Sequence, residues 1–267
     1  MGQKFLSVTT NNCQKSFLHL KFNIFGYEDA LKSIDAILTG TTFHSLFFVN
    51  AHCFNLSLKY SIYHEALINA DLVFNDGIGM DFAARLIGTR FKHNLNGTDL
   101  IPAIIDRASF KKCKIYLLGG KPGVPEKAAE NICKHCPDAN IAGFHHGFFD
   151  PETEHLILAQ IKEKKIDLLI TAMGVPLQEL WIWRNKDQLC NVKLAVAGGA
   201  ILDFLSGNIK RAPLWMRRKK IEWLYRFYLE PNRMWRRYLA GNALFFWNLV
   251  RLKYQQNDNA PKPKTGR

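Results

Sequence analysis

Short apolar runs alternate along this chain with longer stretches of helical character, and that alternation leaves few architectures open. Strands separated by helices pair in parallel, so the expected class is α/β. Residues 45–50 (SLFFVN) read as a buried strand and 56–70 as helix; 72–75 read as a second strand running into Asp76, Gly77 and Gly79, with helix resuming over 79–86. Residues 114–118 (KIYLL) form a strand that delivers the turn GGKPG at 119–123, followed by helix over 125–133. The same grammar recurs as strand 140–143, helix 151–164, strand 167–172, helix 176–187 and strand 193–197, which ends at Gly198 and Gly199. In an open parallel sheet, ligands collect at the carboxyl ends of strands, where loops and helix N-termini converge. The polar residues at those ends are therefore the candidates for chemistry.

The alternation stops after Gly207, and the composition changes there too. Residues 207–254 hold 12 Lys/Arg against 2 Asp/Glu, which is 10 of the formal +13 net charge, together with four of the six tryptophans. Basic charge interleaved with Trp, Tyr and Phe fits an anionic, partly apolar surface: nucleic acid or a membrane interface. Ile221, Leu224 and Tyr228 mark one apolar stripe, and Trp235, Tyr238, Leu239, Phe245, Phe246 and Leu249 a second; each suits packing on a core or contact with lipid. The organisation expected is an α/β core over 1–206, a basic helical appendage over 207–254 and a disordered polar tail over 255–267. With 267 residues and 48% hydrophobic content the chain can bury a large core. No segment reads as a signal peptide or a membrane span, so a cytosol-facing protein is expected. Six unevenly scattered cysteines suit reduced thiols.

Four constellations carry candidate chemistry, each with a structural alternative. Asp76 leaves a strand end beside glycine, where a general base would project into a cleft; it could equally cap the following helix. Gly119 and Gly120 open a loop able to present backbone N–H groups to phosphate, or form an ordinary tight turn. Gln178 and Glu179, in MGVPLQE at 173–179, stand in the first turn of a helix, to bond a ligand or to complement the helix dipole. Cys133 and Cys136 make a lone CxxC near His135, His145 and His146. Without a second ligand pair at suitable spacing, no zinc site is expected.

Taken in order, these segments resemble the WecG/TagA/CpsF glycosyltransferases over residues 20–254. The resemblance is carried by VNAH (49–52), NDGIGM (75–80), NGTDL (96–100), YLLGGKPGVPEKAA (116–129), GFHHGFF (143–149) and MGVPLQE (173–179). It continues through Gly198 and Gly199, DFLSG (203–207), RAP (211–213), IEWLYR (221–226) and EPNR (230–233). It implies a Rossmann-like sheet, and inverting transfer of a sugar from a UDP-sugar donor to a polyprenyl-diphosphate-linked saccharide acceptor. The reaction would run at the cytoplasmic face of the plasma membrane, peripherally on an anionic surface, with no required metal or other cofactor. Asp76 matches the family's proposed general base, and Asn50 and Gln178 match positions near its pocket. Arg211, Arg226, Arg233, Arg236 and Arg237 are the appendage cations expected to meet diphosphate charge.

Two departures from the family pattern fall close to the expected pocket. Many relatives carry a hydroxyl residue where this chain has Phe48, and many carry an arginine shortly before the position of Gly97, where this chain reads His93, Asn94, Leu95, Asn96. Asn94 and Asn96 are accordingly the substrate-binding candidates of that segment. Glucosyl, N-acetylmannosaminyl and N-acetylmannosaminuronosyl transfer all occur in the wider family. Two other classes compete. A nucleic-acid binding protein would use the C-terminal cluster but not a polar residue at each strand end. A nicotinamide-dependent oxidoreductase would need GxGxxG after a strand with an acidic residue further on, and none is present.

Overall fold

A computed structural model describes residues 14–213, 215–216, 222–229 and 241–258. Among these residues, eight strands and eleven helices run in the order β1 (Gln14–Phe17), β2 (Leu20–Asn23), α1 (Tyr27–Thr39), β3 (His44–Val49), α2 (Ala51–Lys59), α3 (Ser61–Ile68), β4 (Leu72–Asn75), α4 (Ile78–Leu86), α5 (Gly97–Phe110), β5 (Lys114–Gly119) and α6 (Val124–His135). They continue as β6 (Asn140–His145), α7 (Pro151–Glu163), β7 (Leu168–Ala172), α8 (Leu177–Asn185), β8 (Leu194–Ala197), α9 (Ile201–Leu205), α10 (Glu222–Leu229) and α11 (Gly241–Asp258). Six strands form one parallel sheet, order β4-β3-β8-β7-β5-β6. The α/β expectation and its Rossmann-like parallel sheet are the observed fold.

The inner strands are apolar throughout because both sheet faces are covered. Leu46 and Phe48 of β3 join Leu72 and Phe74 of β4 on one face, under α1, α5, α6 and α9. Phe47, Val49 and Val73 point the other way, into a second core with residues of β1, β2, α2, α3, α4, α7, α8 and α11. β4 is an edge strand, and β1 and β2, an antiparallel hairpin, lie against it. The Val73 N–H of that edge donates to Asn23 Oδ1 at the hairpin's end, 2.9 Å away, which blunts an otherwise unpaired strand edge.

Two expectations are corrected. The helix over 56–70 is two helices, α2 and α3, broken where Tyr60 takes extended backbone (φ −122°, ψ 108°) and its carbonyl starts the next turn. The polar tail does not begin at Gln255, because α11 runs on to Asp258; the first proline that would stop it is Pro261. Of the first apolar stripe, open to core packing or lipid contact, Leu224 is 46% and Tyr228 83% exposed, and Ile221 lies outside the described residues. From the second stripe, Phe245 and Leu249 are buried in the second core. Trp235, Tyr238, Leu239, Arg233, Arg236 and Arg237 lie outside the described residues, as does the side chain of Arg226.

Candidate active site

The strands end together on one side of the sheet, and the neighbours β3 and β8 send their chains to opposite faces there. β3 passes through Asn50 into α2 on the second core's face, whereas the adjacent β8 passes through Gly198 and Gly199 into α9 on the first. Such a divergence opens a crevice between the two strand ends. Asp76 stands half-buried at the end of β4, the strand on the other side of β3, its N–H donating to Val49 O at 2.9 Å. This extension of the β3–β4 ladder sets Asp76 beside Asn50.

Each neighbour of Asp76 is fixed by a specific bond. Asn50 is the N-cap of α2: its Oδ1 accepts from the N–H groups of His52 (3.0 Å) and Cys53 (3.1 Å). That leaves the Asn50 amide NH₂ as the group able to donate to a ligand. Gly77 has φ 89°, in the left-handed region, and a Cβ there would meet nothing within 4 Å. Glycine is therefore set by backbone conformation rather than by space. The Gly77 N–H donates to Asn94 Oδ1 at 2.8 Å, so Asn94 holds the turn that carries Asp76.

Asn96 does something different. Its Oδ1 caps α5 by accepting from Asp99 N–H (2.9 Å), while its Nδ2 donates to Asp99 Oδ2 (2.8 Å). Both halves of its amide are engaged within the protein. The other oxygen of the same carboxylate, Asp99 Oδ1, accepts from Arg211 Nη2 at 2.5 Å, which ties the start of the C-terminal segment to the N-terminus of α5.

Gln178 and Glu179 are buried, 2% and 0% exposed, and turned into the protein. Gln178 Oε1 accepts from Gly199 N–H (3.0 Å) and Gln178 Nε2 donates to Glu179 Oε1 (2.8 Å), so the first turn of α8 is stitched to the loop before α9. Burial pushes the Glu179 carboxyl up to about 7. Its Oε2 has no hydrogen-bond partner among the described residues, an arrangement that costs less for a neutral carboxyl than for a carboxylate. Tyr63 of α3 is close enough to feel that charge: burial, then Cys53 and Glu179, hold its hydroxyl well above the ordinary tyrosine range.

At Gly119 and Gly120 the backbone packs on its neighbour. A Cβ on Gly119 would come within 2.4 Å of the Ala172 carbonyl, and one on Gly120 within 2.7 Å of Val124. The Gly120 N–H is spent on Ala172 O (2.9 Å), and Gly147 N–H on Gly120 O (2.9 Å). The loop GFHHGFF is thereby drawn over the end of β5. Among the described residues, no three His, Cys, Asp or Glu side chains converge as a metal site; Cys133 is exposed and Cys136 half-buried.

The structure thus brings Asp76, Asn50 and Asn94 together at the ends of β3 and β4, with Gln178 and Gly199 at the ends of β7 and β8. Arg211 sits at the start of α5. Of the two departures, Phe48 is 7% exposed in the first core, and a Cβ on Gly97 would lie 3.2 Å from its ring. The Phe48 side chain fills the space over the start of α5. The Asp99–Arg211 tie, 112 residues long in sequence, has no signature in spacing. The Asn96 cap did have one: Asn followed three residues later by Asp is a helix-start pattern.

A parallel α/β sheet with an acidic and several amide side chains gathered at its carboxyl ends defines the class of open-sheet enzymes that bind ligands in that crevice. The chain matches the profile of the glycosyl transferase WecG/TagA/CpsF family over residues 15–259, and it belongs to that family. It is 32% identical over 218 residues (81% of this chain, 82% of the relative) to the N-acetylglucosaminyldiphosphoundecaprenol N-acetyl-beta-D-mannosaminyltransferase of Bacillus subtilis. Proteins of the same name from Bacillus spizizenii (33%, 67% of this chain and 68% of the relative) and Staphylococcus aureus (27%, 91% and 95%) are also similar. The protein is a glycosyltransferase.

Proposed function

We propose that this glycosyltransferase moves a sugar from a UDP-sugar to a polyprenyl-diphosphate-linked saccharide, with inversion and with Asp76 as general base. What carries the reading is Asp76 itself: a half-buried carboxylate at the end of β4, on a glycine turn held by Asn94 and beside the capping Asn50. The names of the similar proteins specify a GlcNAc-diphosphoundecaprenol acceptor, which gives the acceptor class. Asp76 would take the proton from the acceptor hydroxyl as that oxygen attacks the anomeric carbon on the side opposite the nucleotide. The C–O bond to the diphosphate then breaks and UDP departs with the electron pair.

The leaving diphosphate gains charge in the transition state, and cations that meet it there lower the barrier. Arg211 is the described candidate; Arg226, Arg233, Arg236 and Arg237 are proposed to serve the same end, because a guanidinium stays charged and binds phosphate oxygens bidentately. Gln178 and Glu179 are proposed to act on the substrate through the Gly198–Gly199 loop they hold. The basic segment 207–254 would also bring the enzyme to an anionic membrane surface.

The test is UDP release by purified protein, with a panel of UDP-sugars and a short-chain polyprenyl-diphosphate saccharide acceptor. Release should require one donor and the acceptor together. Asp76→Asn should bind UDP nearly as before while turnover falls about 10²- to 10⁴-fold, the usual worth of a general base. Near-normal turnover in that variant would take Asp76 out of the mechanism, and no release with any donor would sink the UDP-sugar reading.

A further inference from the structure

Helix α11 is apolar on two sides. Phe245 and Leu249 are 0% and 2% exposed in the second core, and Asn55 Nδ2 and Asn248 Nδ2 fix the helix along α2 through bonds to Gly241 O (2.8 Å) and Asn55 Oδ1 (3.1 Å). Its other side presents Leu244 (50%), Trp247 (68%), Val250 (45%) and Tyr254 (68%), spaced three or four residues apart. A helix apolar all round ordinarily has both faces covered.

The exposed side does not end with α11. Helix α4, which starts two residues after Asp76, exposes Ile78, Phe82 and Leu86 at i, i+4 and i+8. The two stripes meet at Phe82 and Phe246, whose rings stand edge to face with centroids 5.4 Å apart, and Lys253 Nζ donates to Leu86 O at 2.7 Å. One apolar platform therefore spans a helix of the core and the last described helix.

Its charge selects the occupant. Arg85, Arg251 and Lys253 are exposed on these two helices. The acidic residues of the two helices are Asp258, the last residue of α11, and Asp81 of α4, which is half-buried and accepts from Asn75 Nδ2 at 3.2 Å. A second copy placed on this face by a twofold axis would set the exposed Arg85, Arg251 and Lys253 against one another, while Asp81 is half-buried and already bonded. An apolar stripe with Trp and Tyr at its surface and an excess of exposed cations along it matches the headgroup level of an anionic bilayer.

We infer that the α4–α11 face is the surface by which this protein lies on anionic lipid, and that α4 sets the Asp76 turn at the height of the headgroups. The inference rests on the proposed function only for what Asp76 does there; the docking face stands on exposure and charge. It also makes the core, and not the C-terminal segment alone, a partner in docking.

The experiment is sedimentation of the full chain with phosphatidylglycerol vesicles and, separately, phosphatidylcholine vesicles. Phe82→Gln and Trp247→Gln are compared with Phe110→Gln, which removes an 85% exposed phenylalanine from the far end of α5. Wild type should prefer the anionic vesicles. Phe82→Gln and Trp247→Gln should each weaken binding roughly tenfold, the order expected for an aromatic side chain withdrawn from water, and Phe110→Gln should not. Transfer to a soluble short-chain acceptor should be unchanged in all three, which separates lost docking from lost folding. Wild-type vesicle binding in both Phe82→Gln and Trp247→Gln would overturn the inference. So would a wild-type dimer that Trp247→Gln dissociates without changing vesicle binding. The expected vesicle pattern without transfer from any donor would support the docking face and defeat the UDP-sugar reading alone.

Discussion

Glu179 is buried and His19 half-buried; the fold prefers the neutral form of each, and they bend the stability of the protein with pH in opposite directions. Burial raises Glu179 from 4.5 to about 7. Between those values the unfolded chain has lost the proton that the folded protein keeps, so stability falls as pH rises through that window. Burial, then the charge of His64, lowers His19 from 6.5 to about 4. Its Nε2–H donates to Ser57 Oγ at 2.8 Å, since Ser57 spends its own proton on Phe54 O, and its buried Nδ1 has no hydrogen-bond partner among the described residues, so a proton added there would go unpaired. Here the unfolded chain gains a proton that the folded protein refuses, and stability falls as pH drops from 6.5 towards 4. The two slopes oppose each other between pH 4.5 and 6.5. Glu179→Gln keeps the shape and the hydrogen bond from Gln178 while removing the titration. Chemical denaturation from pH 4.5 to 8 should then show a variant that gains stability more steeply up to pH 6.5 and is level from 6.5 to 7, where wild type still declines. The difference accumulated by pH 7 should be on the order of a few kcal/mol. Parallel curves for the two proteins would mean that Glu179 is already ionised in the fold.

At the scale of elements, what the sequence made readable follows from how each element is buried. β3, β4, β7 and β8 are covered on both faces and show as unbroken apolar runs that need no alternation to be recognised. β1 and β2 gave no such sign: four residues each, joined at Leu18 and His19, with Leu18 at φ 55° in place of the Asn-Gly or Asp-Gly that announces a hairpin. α5 was hidden by Pro102, which sits inside the helix and ordinarily argues against one. At the site, Asp76, Asn50 and Gln178 were legible because strand ends could be located. The inward turn of Gln178 and Glu179 was not, since first-turn position does not say which way a side chain faces. Neither could the periodicity of α11 separate its core side from its exposed side. That distinction has a measurable consequence: Phe245 meets Phe54 edge to face at 5.2 Å and is fully buried, so Phe245→Ala should cost about 3–5 kcal/mol in denaturant unfolding. Trp247→Ala, 68% exposed, should stay within about 0.5 kcal/mol of wild type. Equal losses would mean that α11 is docked through a different face.

Among the described residues, the C-terminal segment returns to the core through Phe245 and Leu249 of α11 in the second core and, at its start, through Arg211 on Asp99 of α5. Truncation after Gly207 would therefore strip core residues as well as basic charge, and its effects on docking and folding could not be told apart. The Arg211 contact offers a cleaner test of what the segment does. Both partners are well exposed for an ion pair, 29% and 47%, so their coupling should add no more than about 1 kcal/mol to stability. If Arg211 is only a strut, Arg211→Ala and Asp99→Asn should affect catalysis equally, because each breaks the same bond. If Arg211 meets the diphosphate of the donor, as proposed, the two should diverge. Arg211→Ala removes a charge-assisted bond to phosphate and should lower kcat/KM for the donor by about ten- to a hundredfold. Asp99→Asn releases the guanidinium from a competing carboxylate and should leave donor affinity unchanged or improved, while the amide keeps the side-chain volume at the start of α5. Matching losses in kcat/KM would assign Arg211 to holding the segment in place, and a loss confined to Arg211→Ala would assign it to the leaving group.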